Sequence, residues 1–141
     1  MDSKNDSVKT REEMPRHRVL RELLRHYLEF QDLVTSPEYD GQGGHQDTSG
    51  IIEYGYWAED EDGKPRKVQI TLSFWDLQNS LKELSPRKRE AVFHNVILDK
   101  KQKDVAEIMG ITTVSVGQYV EQACLQLSEK YFSGDNEYVV E

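Results

Sequence analysis

A chain of 141 residues, 36% of them hydrophobic, has the apolar material for one modest core and not for two large ones. Twenty-six acids against 18 bases leave a net charge of −8, and no apolar run approaches the ~20 residues that cross a bilayer. A lone cysteine, Cys124, excludes an internal disulfide and a cysteine-built zinc site; with no apolar leader in the opening residues, the expectation is a cytoplasmic protein with no membrane association.

Residues 1–36 carry seven bases and seven acids. Within them the spacing predicts an amphipathic helix from about Pro15 to Val34. Leu20, Leu23, Leu24, Tyr27 and Leu28 follow one apolar stripe that Val34 extends, and Arg18, Glu22, Arg25, Glu29 and Asp32 lie opposite. Pro15 suits the first turn, and Ser36-Pro37 suits an end. Such a stripe is buried either on the C-terminal part of the chain or by a partner.

Residues 37–75 read as an acidic, glycine-rich linker followed by a β-hairpin. Residues 37–63 hold eight acids and no Lys or Arg, and 37–50 include four glycines. Ile51 to Ala58 and Lys67 to Phe74 flank the turn Glu59-Asp60-Glu61-Asp62-Gly63, and Val68, Ile70, Leu72 and Phe74 alternate with polar residues. Tyr54, Tyr56 and Trp57 either cover the bundle or join Leu20, Leu24 and Tyr27 as a partner-binding surface, for a second protein or another copy of the chain. The acidic turn is not a calcium loop. Placing Gly63 at the loop glycine puts Ala58 and Gln69 where acidic ligands are required. His17, His26, His45 and His94 show no metal-pair spacing, and no nucleophile or phosphate-loop motif is present. No enzyme activity, metal or cofactor is expected.

From Trp75 the pattern is helical. Leu77, Leu81 and Leu84 form a short ridge, and Ser85-Pro86 marks a helix start. Val92, Phe93, Val96 and Ile97 give the next buried face, and Val105, Ala106 and Met109 the one after. Gly110 is a left-handed C-cap candidate, and Thr112 caps a last helix buried through Val116, Val120, Ala123 and Leu127. Two helices around Gly110-Ile111-Thr112 make a helix-turn-helix pattern. Ala106 permits the close crossing, Ile111 plugs the angle, and Val116 anchors the second helix from beneath. Residues 133–141 read as a frayed acidic tail.

Three blocks carry a wider likeness: Leu84 to Val92, Gln102 to Thr112, and Val116, Val120, Ala123 and Leu127. In order and distance they resemble region 4 of bacterial sigma factors of the sigma-70 family, over roughly residues 76–132. Phage and prophage regulators with a lone region-4-like domain look similar in size and layout. The resemblance implies a mainly α protein whose C-terminal four-helix domain contacts promoter DNA and RNA polymerase. A complete sigma factor has further polymerase-clamping and promoter-melting regions, so the chain is not expected to open promoters alone.

The candidate DNA contacts are the basic residues Arg87, Arg89, Lys100, Lys101 and Lys103 with Gln102, and Thr112, Thr113, Val114, Ser115, Gln118 and Gln122 on the recognition helix. Ser, Thr and Gln hydrogen-bond base edges, and Val114 suits a thymine methyl. The recognition helix departs from the family in having no Lys or Arg from Thr112 to Glu129. Cationic phosphate contacts supply much of DNA affinity. The alternative is therefore a protein-binding module that engages RNA polymerase or a sigma factor and redirects transcription.

Overall fold

The computed structural model describes residues 14–35, 49–133 and 136–141, so most of the expected linker lies outside the described residues. The elements in order are α1 (Arg16–Arg25), α2 (Tyr27–Thr35), β1 (Ile51–Glu59), β2 (Pro65–Ser73), α3 (Phe74–Lys82), α4 (Pro86–Val92) running into a π-helical turn (Phe93–Ile97), α5 (Gln102–Met109), α6 (Thr113–Tyr131) and β3 (Glu137–Val140). The protein is mainly α, with one antiparallel sheet of order β1-β2-β3.

The helix expected over Pro15–Val34 is two helices. His26 leaves helical geometry at φ −106°, ψ 14°, and Pro15 stands at the N-cap in extended conformation, outside the first turn. The break re-phases the second half. Tyr27, Phe30 and Val34 (i, i+3, i+7) turn inward, whereas Leu28, expected in the stripe, is 42% exposed. The α1 stripe of Val19, Leu20, Leu23 and Leu24 is fully buried, with α1 lying against α6 and the π turn.

The hairpin forms in register from Ile51↔Ser73 to Glu59↔Pro65. Its turn is organised by the buried Asp60. One carboxylate oxygen accepts from the backbone N–H of Asp62 at 2.9 Å and of Lys64 at 3.0 Å, and the other meets Arg66 at 3.4 Å. Ile52, Tyr54 and Tyr56 share the inner sheet face with Val68, Ile70 and Leu72, and the Tyr54 ring centroid lies 5.3 Å from that of Phe30.

The expected frayed tail is in fact the third strand. Beside β1 alone, β2 would be an edge with an unpaired row of backbone groups. β3 pairs along it, Val68↔Val140 and Ile70↔Tyr138. The Tyr138 hydroxyl donates to the Met14 carbonyl at 2.7 Å, and Arg66 Nε donates to the Glu141 carbonyl at 2.7 Å. Val140 is buried.

Ser73 ends β2 and caps α3, its hydroxyl accepting from the Asp76 N–H at 3.3 Å. Leu77 and Leu84 are buried, as are Val92, Val96 and Ile97. Phe93, expected in the core, is 42% exposed. Its carbonyl accepts from the Leu98 N–H at 2.9 Å, five residues on, and this wider turn brings Val96 and Ile97 inward beneath Val92 while Phe93 stays at the side. Val116, Val120, Ala123 and Leu127 form the buried face of α6 as expected, together with Cys124, Ser128 and Tyr131.

Candidate nucleic-acid interface

α5, its turn and α6 have the geometry that the sequence predicts. Gly110 adopts φ 68°, ψ 36°, a left-handed conformation that only glycine takes without strain. The Ile111 N–H donates to the Ala106 carbonyl at 3.0 Å, closing the end of α5. Thr112 Oγ1 accepts from the Ser115 N–H at 3.1 Å, capping α6, and donates to Ser115 Oγ at 2.9 Å. These two hydroxyls, expected at base edges, are committed to each other and to the cap.

Thr113, Val114, Gln118 and Gln122 lie on the open side of α6. Val114 is 69% exposed, and Leu125 further along is also exposed. Gln102, at the start of α5, lies over Gly117 of α6. A Cβ at Gly117 would stand 3.5 Å from the Gln102 amide oxygen.

The basic residues divide into two groups. Arg89 donates from Nε to the Leu81 carbonyl at 3.2 Å and from Nη2 to those of Lys82 at 2.9 Å and Leu84 at 3.0 Å. It gathers carbonyls of the last turn of α3 and of the bend that follows it, that of Leu81 also accepting from the Leu84 N–H at 3.3 Å. Arg87 donates to the Met109 carbonyl at the end of α5 at 3.4 Å, and Lys88 to Gln126 Oε1 at 3.2 Å. Arg87 and Arg89, expected at DNA, thus tie helices together. Lys100, Lys101 and Lys103 are exposed, and their ammonium groups have no bonded partner among the described residues. They surround the start of α5, where free backbone N–H groups and the helix dipole favour anions.

Arginines that sequence reasoning had left out stand beside them. Arg21 and Arg25 of α1 line, with Asn95, Asp99, Lys100, Lys101 and Gln102, an open cleft of about 330 Å³. The signal was present as an arginine-rich helix face, but not where that face would lie.

The residues expected to bind a partner are mostly internal. Leu20, Leu24 and Tyr27 are core residues, because α6 supplies the apolar surface their stripe requires. Tyr54 and Tyr56 are half-buried on the inner sheet face with ring centroids 6.0 Å apart, and burial raises the pKa of the Tyr56 phenol. Trp57 alone faces out, with the Lys67 ammonium 5.6 Å from its ring centroid. A second cleft of about 360 Å³, lined by Tyr27, Leu81, Pro86, Phe93 and Ile97 with Arg89 and Glu90, is apolar in character.

Among the described residues no group of three or more His, Cys, Asp or Glu is placed to hold a metal ion. No described helix is long and apolar enough to cross a membrane. Residues 74–127, from the first residue of α3 to the buried Leu127 of α6, match the family model for sigma-70, region 4. The matched segment supports a transcription-related, DNA-binding role of the helix-turn-helix type. No curated protein and no solved structure matches the chain.

Proposed function

We propose that the chain is a transcription regulator that contacts promoter DNA through α5 and α6 and RNA polymerase through the same domain. The observation that carries the DNA reading is the set of three exposed lysines, Lys100, Lys101 and Lys103, at the start of α5, beside the open face of α6 that presents Thr113, Val114, Gln118 and Gln122. Phosphate contacts fix position and polar side chains read bases, and here the two are supplied by adjacent helices. The polymerase contact is assigned to the apolar cleft beside Phe93, within the matched segment except for Tyr27. Promoter opening is assigned to the polymerase. Such an activity belongs in the cytoplasm.

A second reading is favoured by α6 itself, which has no Lys or Arg from Thr113 to Glu129 and exposes Val114 and Leu125. In it the domain redirects polymerase or a sigma factor by protein contact, with little DNA affinity of its own. A pull-down of polymerase with and without nuclease treatment, run beside duplex-binding titrations, separates the two. Duplex binding supports the first reading. Nuclease-resistant capture of polymerase with no duplex binding supports the second.

A further inference from the structure

We propose that α1 is part of the DNA-binding surface: Arg21 and Arg25 join Lys100 and Lys101 in one cleft that holds the phosphodiester backbone of duplex DNA. The inference rests on the DNA reading above and adds to it a contact from outside the matched segment. α1 carries four arginines, Arg16, Arg18, Arg21 and Arg25, against one acid, Glu22, in a chain whose net charge is −8. Arg21 and Arg25 are four residues apart and therefore share a face. The opposite stripe, Val19, Leu20, Leu23 and Leu24, pins α1 to α6 and to the π turn, which fixes that arginine face beside Asn95–Gln102.

Arg21, Arg25, Lys100 and Lys101 are all exposed, and no carboxylate among the described residues forms an ion pair with any of them. One acid, Asp99, lines the cleft. Glu22 and Glu29 are turned to His26, at 3.6 and 3.2 Å. Four cations against one carboxylate around an open cleft repel one another, and a polyanion relieves that repulsion. The cleft also adjoins the start of α5, so a backbone that meets Lys101 and Lys103 continues onto α1 without leaving the domain surface.

The test is a fluorescence anisotropy titration of the full chain on a random-sequence duplex between ~50 and ~200 mM salt. Arg21→Gln with Arg25→Gln should flatten the slope of log K against log salt by about 1.8, at ~0.9 per lost phosphate contact, with an unchanged melting temperature. Arg21→Lys with Arg25→Lys should keep the slope, since the charge is kept. The inference is overturned if the glutamine pair leaves the slope intact while Lys100→Gln with Lys101→Gln flattens it; the DNA reading then stands and α1 is only packing. If the unaltered chain binds no duplex, the DNA reading fails first and the inference with it. Inorganic phosphate, exchanged for chloride at constant ionic strength, should not compete. Displacement of DNA from the unaltered chain by phosphate would assign the cleft to a small anion and overturn the proposal.

Discussion

The hydroxyl of Tyr131 donates to the carbonyl of Ser73 at 3.0 Å, joining the last turn of α6 to the residue at which β2 becomes α3, 58 positions earlier. Both residues lie just outside the segment that matches the sigma family, so this bond ties its two flanks together. Burial, and secondarily the nearby Asp76 carboxylate, raises the pKa of the Tyr131 phenol, so it remains a donor across the physiological range. Tyr131→Phe should lower stability by about 1 kcal/mol, the net worth of one hydrogen bond, through loss of the Ser73 carbonyl's donor. Urea unfolding checks this; an unchanged midpoint would mean that the bond contributes nothing.

Lys100, Lys101 and Lys103 should behave differently from Arg89. Changing the three lysines together to Gln should flatten the salt dependence of duplex binding by up to ~2.7 log units, at ~0.9 per contact, with little change in melting temperature. Arg89→Ala should lower the melting temperature, because the carbonyls of Leu81, Lys82 and Leu84 lose the guanidinium that joins them, and should leave the salt slope as it was. Parallel melting and anisotropy measurements check the contrast.

Val116→Asp should unfold or loosen the domain. Val116 is fully buried beneath α6, and an unpaired carboxylate there costs several kcal/mol. A near-native melting temperature at neutral pH would contradict this phase of α6.

Cys124 should be inert to alkylation in the native protein. Burial pushes its thiol up from an ordinary value of 9.0 to about 11, and it packs in the α6 core face. The protonated thiol is the form the fold accommodates. Its contribution is therefore complete below pH 9 and lost as pH rises through about 11. Iodoacetamide labelling at pH 8 should be slow without denaturant and fast with it; equal rates would show an open thiol.

What the sequence conveyed was what neighbouring residues decide. Gly110, Thr112 and the stripe from Val116 to Leu127 act within a few residues of one another, so the turn and the buried face of α6 were legible. The break at His26 was not, because neither Gly nor Pro marks it. β3 was missed because its four residues become a strand only beside the open edge of β2. Arg87 and Arg89 read as phosphate contacts because composition gives charge but not which carbonyls stand within reach. Arg25 was legible on the polar face of its helix, Arg21 was not singled out, and only the docking of α1 on α6 carries the two to Lys100 and Lys101.

That same docking sets an order of events during synthesis. The apolar residues of α1 emerge about 100 residues before the stretch of α6 that covers them, an interval of roughly 5–20 s at ribosomal speeds of ~5–20 residues per second. The sigma-like helices, by contrast, find most of their contacts close by along the chain, which favours rapid formation once they are made. For those seconds Val19, Leu20, Leu23 and Leu24 form a greasy ridge on a nascent chain. Until α6 is made, that ridge is the kind of apolar surface that aggregates or engages a chaperone.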